Sequence, residues 1–171
     1  MSIRPIRILG DPVLRESAAL VESFDEALAE LVEDMWETMY HADGIGLAAP
    51  QIGVSQRIFV IDVRRSDEDG PEPLALINPT VVDSSKKTEK APEGCLSIPG
   101  MEDVVTRPIA VRVEALDLSG APLVLEADGL FARALQHEID HLDGVLFIDR
   151  LSPLKRRLLL ERWKKAQADE E

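Results

Sequence analysis

Residues 136–144 read Gln-His-Glu-Ile-Asp-His-Leu-Asp-Gly, and within them His137, Glu138 and His141 form the pattern H-E-x-x-H. Residues four apart on a helix lie on one face, so His137 and His141 present two imidazoles together. Glu138 sits a little round the helix, beside a metal held by that pair and not competing for it. Two nitrogen ligands, with a carboxylate to handle the proton of an activated water, are what metal-assisted hydrolysis requires. The run leaves two questions open: which residue is the third ligand, and which bond is cut.

A catalytic metal site normally takes three protein ligands and keeps one position for water. The metzincin pattern, with a third His at the eleventh position, holds here as far as Gly144 and fails at Phe147. Glu161 is the downstream carboxylate that a thermolysin-like pattern would use. It lies among basic residues, where an i,i+4 salt bridge with Lys165 is the simpler role. That leaves His41 and Cys95. His41 falls at a helix end and reads as a surface or capping residue.

Cys95 is the one cysteine of the chain, which rules out an intrachain disulfide and fits a reducing compartment. A lone cysteine is ordinarily a small buried hydrophobe. This one lies in Glu93-Gly94-Cys95-Leu96-Ser97-Ile98-Pro99, where Gly94 strips the approach of side chain and leaves backbone amides and sulfur facing a small substrate. Near two imidazoles and a dication its thiol would be deprotonated by the metal. The helix motif is what favours the ligand reading.

A third constellation is Gly44-Ile45-Gly46-Leu47-Ala48-Ala49-Pro50-Gln51. Its glycines and small residues allow a ligand close to the backbone, and the Gln51 amide can donate to an oxyanion. It is not a phosphate loop, because no Gly-Lys-Ser/Thr follows and the G-x-G-x-x-G spacing is absent.

Taken together, Gly44–Gln51, Glu93–Ser97 and Gln136–Gly144 resemble, in order, the three signature motifs of the peptide deformylase family. Asp11–Arg15, Ile52–Val63 and Leu146–Ser152 are also similar to that family, so the resemblance covers nearly the whole chain. It implies removal of the formyl group from the N-terminal formyl-methionine of newly made proteins, with release of formate. Carried over by residue, Cys95, His137 and His141 hold the metal and Glu138 is the general acid/base. Gln51 and the Leu96 backbone N–H stabilise the oxyanion. Ile45, Gly46 and Gly94 line the peptide's backbone track, and Leu130, Ala134 and Ile45 form the methionine pocket. The resemblance also implies one Fe2+ per chain, with Zn2+, Ni2+ or Co2+ as alternatives in purified protein. Where the family often carries an arginine after the C-L-S-I-P run, this chain has Gly100-Met101-Glu102-Asp103. That departure bears on downstream peptide preference and not on the chemistry.

Three other readings compete. They are a metallopeptidase acting on a free or blocked N-terminus, a cysteine hydrolase with Cys95 as nucleophile, and a catalytically silent binding module. The second lacks an orienting partner for a histidine; against the third stand Glu138 and Gln51, which binding alone would not require.

The positioning elements are legible in outline. Ser23-Phe-Asp-Glu26 is a capping-box signature, predicting a helix with a stripe of Leu28, Leu31, Val32, Met35 and Met39 that ends near Ala42. Strands are predicted at Arg57–Val63, at Leu74–Ile77 and Thr80–Asp83 with a break at Asn78-Pro79, at Ile109–Leu116, and at Pro122–Glu126. The motif helix starts at Asp128-Gly129 and stops at Gly144. A last helix follows Ser152-Pro153, packing through Leu154, Leu158 and Trp163. Helices and strands without βαβ alternation predict an α+β fold. We expect one domain over residues 1–171, with mixed and antiparallel strands around the motif helix and a helix toward each end.

The formal charge of -13 argues against broad binding to DNA or anionic membrane. No apolar run approaches a membrane span and no secretory leader is visible, so the expected compartment is the cytoplasm. Basic residues do crowd the last helix, residues 153–167, where contact with the ribosome is expected.

Overall fold

The computed structural model describes residues 2–170. Along the chain come α1 (Glu26–His41), β1 (Gly46–Ala48), β2 (Ile58–Ile61), β3 (Leu74–Ser84), β4 (Thr88–Cys95), β5 (Ile98–Pro108), β6 (Ala110–Leu116), β7 (Pro122–Asp128), α2 (Gly129–Leu142) and α3 (Pro153–Glu170). Five strands form an antiparallel sheet in the order β1-β2-β3-β6-β7, while β4 and β5 pair only with each other. The α+β expectation is met.

The sheet's central strands are covered on both faces. Side chains alternate along a strand, and in β2 Ile58 and Val60 pack with α1 while Phe59 and Ile61 pack with the α2 side. β3 repeats the division, Ile77 joining the α1 cluster and Leu76 the α2 cluster. This is why Ile-Phe-Val-Ile is apolar without alternation: neither face meets water. From α2, Ala132, Ala134, Leu135, Ile139 and Leu142 fill the second cluster and fix the motif helix against the sheet.

Helix α1 presents the expected stripe to the core, but its cap differs. Asp25, not Ser23, is the N-cap, its Oδ1 accepting from the Leu28 N–H at 3.0 Å. The expected break at Asn78-Pro79 is a bulge inside one continuous strand. Asn78 takes a left-handed φ of 52°, and its amide side chain pairs with Val21 N and O at 2.9 and 3.1 Å, standing in for a strand neighbour. Gly144 ends α2 with φ 74°, and a Cβ there would lie 2.6 Å from Arg15 O, so the stop is also a close packing point.

Two strands, β4 and β5, were not expected. They form a hairpin closed at the Leu96-Ser97 tip, with Cys95 opposite Ile98. A third apolar cluster joins Ile98 and Val105 of this hairpin to Leu146, Phe147 and Ile148, and to Leu159 and Trp163 of α3. The expected packing of α3 is thereby corrected. Leu159 and Trp163, one turn apart, are buried, whereas Leu154 and Leu158 are 56% and 47% exposed. The Glu161–Lys165 ion pair does not form among the described residues, where both side chains are exposed.

Candidate metal centre

Helix α2 and the end of β4 meet at one point. His141 Nε2 lies 3.2 Å from His137 Nε2 and 3.3 Å from Cys95 Sγ, and the three donor atoms all fall within 4.8 Å of one another. His41 is exposed at the end of α1 and has no part in this cluster. Both α2 imidazoles are buried.

The orientation of His137 has a definite cause. Its Nδ1 lies 3.1 Å from Glu93 Oε1, and a carboxylate can only accept, so Nδ1 donates there and Nε2 is the ring nitrogen that faces His141. The ring of Phe147 stacks alongside His137, at 6.4 Å between centroids and 23° between planes. The eleventh position of the metzincin pattern is thus a packing surface for the first histidine.

Glu93 is itself held by two guanidinium groups. Arg107 Nε and Nη2 donate to its two oxygens at 2.6 and 2.9 Å, and Arg133 Nη1 donates at 2.6 Å. Arg107 also donates to Asp140 at 2.9 Å, and Arg150 grips the same carboxylate with two bonds. Arg133 reaches further, to Val105 O on β5 at 3.0 Å and Glu89 O on β4 at 2.8 Å, so it ties α2 to both strands of the hairpin. Burial alone would raise the Glu93 carboxyl, but hydrogen bonds from His137 and Arg107 outweigh it and hold the pKa down to about 2.

The sulfur sits in a nest of donors. The Ser97 N–H approaches Cys95 Sγ at 3.4 Å, and Gln51 Nε2 at 3.6 Å. Gln51, on the single turn Ala49–Ile52, is fixed at both ends of its amide. Its Oε1 accepts from Ala48 N at 2.9 Å and its Nε2 donates to Ser97 Oγ at 3.1 Å.

Glu138 is 4% exposed, and its Oε1, like His141 Nδ1, is buried without a hydrogen-bond partner. Burial raises its carboxyl to about 7, against the pull of His137. Burial also favours neutral imidazoles. At His137, Cys95 and Glu93 outweigh it and push the pKa well up; at His141, the charges of His137, Arg107 and Arg15 add to it and drive the pKa well down. Gly46 gives Glu138 its room, since a Cβ there would stand 2.4 Å from Oε2.

The cluster opens at the inner end of a cleft of about 800 Å³. Of the residues assigned to the site from sequence, Ile45, Gly46, Gln51, Gly94, Cys95, Leu96, Leu130, Ala134, His137 and Glu138 all line it, and His141 lies behind, against Cys95. Sequence reasoning missed the supporting residues Glu93, Ser97, Arg107, Arg133 and Asp140. One signal was available: strand alternation puts Glu93 on the face of Cys95, and helical spacing puts Arg133 one turn before His137.

A sulfur, two imidazoles and an adjacent carboxylate at a cleft end fit a divalent transition metal with hydrolytic chemistry. A model of the family described as polypeptide deformylase matches residues 3–157. The chain belongs to that family. It is 52% identical over 166 residues to the peptide deformylase of Rhizobium meliloti strain 1021, covering 97% of this chain and 95% of the relative. Among solved structures, the peptide deformylase of Legionella pneumophila matches with a TM-score of 0.87 and 49% identity, over 98% of each chain. That of Synechococcus elongatus, solved in complex with actinonin, matches with a TM-score of 0.86 and 47% identity, over 92% of this chain and 85% of its own. A deformylase is a metal-dependent hydrolase, and the Cys95, His137 and His141 cluster is a group that can bind a metal.

Proposed function

We propose that this chain removes the formyl group from the N-terminal formyl-methionine of nascent peptides, with Cys95, His137 and His141 as the metal ligands. One observation carries the reading. The three donor atoms converge beside a buried, partnerless Glu138 carboxylate and a fixed Gln51 amide, at the closed end of a cleft. When bound, the metal supplies a Lewis acid and lowers the pKa of water.

The protein's own groups do the rest. Glu138, poised near neutrality, takes the proton of the attacking water and passes it to the departing amine. Gln51 Nε2 and the Leu96 N–H donate to the oxygen that gathers negative charge. Losing one such donor costs about 10²–10³ in kcat. Gln51 shifts its weak contact with sulfur to do so, while Ser97 Oγ keeps the amide in plane. Ile45, Gly46 and Gly94 form the backbone track, and Leu130, Ala134 and Ile45 receive the methionine side chain.

The test is formate release from formyl-Met-Ala beside an unblocked peptide, by the wild type and by Glu138→Ala, with metal content measured on both. We expect release from the formylated peptide alone, and a variant that keeps metal but loses most activity. A fully active Glu138→Ala would remove the carboxylate from the mechanism.

We further propose Fe2+ as the cellular metal, one per chain, a site of one thiolate and two imidazoles also accepting Zn2+, Ni2+ or Co2+ after purification. Anaerobic purification yielding stoichiometric zinc, with activity indifferent to added iron, overturns the iron assignment. The proposed compartment is the cytoplasm, which keeps a lone thiol reduced; among the described residues no helix is long and apolar enough to cross a membrane. Ribosome contact is proposed for the basic helix, residues 153–167, where Lys155, Arg157, Arg162 and Lys165 are exposed with Leu154 and Leu158. Reversing Lys155, Arg162 and Lys165 to Glu leaves Leu159 and Trp163 in place and is expected to abolish co-sedimentation with ribosomes; equal co-sedimentation sinks the idea.

A further inference from the structure

The side chains of Gln51 and Ser97 meet, Nε2 to Oγ at 3.1 Å, although 46 positions separate them in the chain. Their main chains are joined as well, through a third segment. The Arg7 N–H donates to Gln51 O at 2.7 Å, and the Leu9 N–H donates to Ser97 O at 2.8 Å. Bonding through alternate residues is the habit of a strand, and here one short stretch reaches two separate turns. The contacts close a ring that runs from the Gln51 side chain to Ser97, Leu9 and Arg7, and back to the Gln51 main chain.

The segment is held on either side of these bonds. Ser2 N donates to Asp34 Oδ1 at 2.8 Å and Arg4 N to Thr38 Oγ1 at 2.9 Å, with the Arg4 guanidinium on Asp34 at 2.7 Å. Asp34 and Thr38 are buried polar groups of α1, and neither belongs to the metal cluster. Further on, Leu9 packs against the third apolar cluster and Asp11 caps the turn Pro12–Arg15. The bare Gly53, at φ 86°, makes room for Arg7, whose Nη2 would lie 2.9 Å from a Cβ there. Apolar contact also joins the Gln51 turn to the hairpin tip, since Leu96 packs on the cluster that holds Ala49 and Ile52. Such contact sets proximity but not direction, and direction is what an oxyanion donor needs.

We propose that the main-chain amides of Arg7 and Leu9 are positioning groups for the reaction. They hold the Gln51 turn and the hairpin tip in the register at which the Gln51 amide donates to the oxyanion. The proposal rests on the deformylase reading and adds to it a segment outside the three motifs. Neither Arg7 nor Leu9 lines the cleft, so both act through Gln51 and Ser97. An interaction aimed at the transition state is expressed in kcat and leaves KM alone.

The experiment replaces Leu9 by its α-hydroxy acid, which turns the N–H into an ester oxygen and keeps the side chain. The same replacement is made in Gln51→Ala, and Leu9→Pro, which also lacks the N–H, is the second variant. We expect kcat for formyl-Met-Ala to fall about tenfold in the wild-type background, short of the roughly 10²-fold cost of a full 1 Å displacement. KM and metal content are expected to stay unchanged. In Gln51→Ala the replacement is expected to change kcat by less than about twofold, because the group it aims is gone. The side-chain amide resonance of Gln51, identified by its absence from Gln51→Ala, is expected to shift in both Leu9 variants. Equal losses in the two backgrounds, or a rise in KM alone, mark a merely structural role and overturn the proposal. So does an unmoved resonance. A wild type that releases no formate overturns the deformylase reading instead, and the resonance still decides whether Leu9 holds Gln51.

Discussion

Helix α2 and the β4–β5 hairpin contribute to one cluster by opposite means. In α2, His137 and His141 are brought together by a single turn of backbone, and any helix over these residues would pair them. Cys95 arrives from a strand 46 positions away from His141 and stays only because the hairpin is held. Besides the apolar cluster on Ile98 and Val105, what holds it is ionic: Glu93, Arg107, Arg133 and Asp140, nearly all out of water. Such networks add little net stability when complete, yet breaking one leaves an uncompensated buried charge. The helix half of the site is therefore robust and the hairpin half is brittle.

The sharpest way to break this contrast is Glu93→Ala, which strands two guanidinium groups and frees the His137 ring. We expect about 3–5 kcal/mol lost in denaturant unfolding and metal affinity lowered about 10- to 100-fold in chelator competition. A stable variant with unchanged affinity would show that the hairpin docks by apolar contact alone. Next is Gly46→Ala, which leaves both halves intact but pushes the Glu138 carboxylate aside. A displacement near 1 Å is worth about 10² in kcat, with metal content unchanged by elemental analysis. Arg133→Met, third in size, removes the clamp while Arg107 still satisfies Glu93. We expect about 1–3 kcal/mol of destabilisation and faster hydrogen exchange confined to β4 and β5.

The smallest effect lies outside both regions, at Asp149 in the turn Phe147–Arg150. Burial raises its carboxyl, but Arg15 and the Leu146 N–H outweigh that and hold the pKa below the ordinary value. A carboxyl lowered on folding contributes stability that is complete above the unfolded pKa, about 3.9, and is lost as pH falls through the folded value. The stability gap between wild type and Asp149→Asn is thus expected to be constant at neutral pH and to close below about pH 4. A gap that persists into strong acid would assign the effect to packing.

The same contrast explains what could be read from the sequence. α2 was legible because its two histidines, its apolar face and its glycine stop all obey one period. α1 was legible in its stripe and not in its cap, since Ser23 and Asp25 both suit an N-cap and tertiary packing chose the later one. The hairpin was not legible, because its inward face carries Glu93 and Arg107, residue types that composition assigns to a surface. α3 was placed correctly but rotated wrongly. Its leucines recur at 154, 158, 159 and 160, offering more than one apolar stripe, and only contact with the hairpin selects Leu159 and Trp163. Of the site residues, those on the three motifs were found, Cys95 and Gln51 included, while the supporting charges Arg107, Arg133 and Asp140, joined only through space, were not.

The bare backbone at Gly46 also limits how this protein can change over generations. Every other residue type adds a Cβ or more, and here that atom meets the Glu138 carboxylate. An inhibitor lying against that stretch of wall faces a surface that mutation cannot thicken without disabling the enzyme.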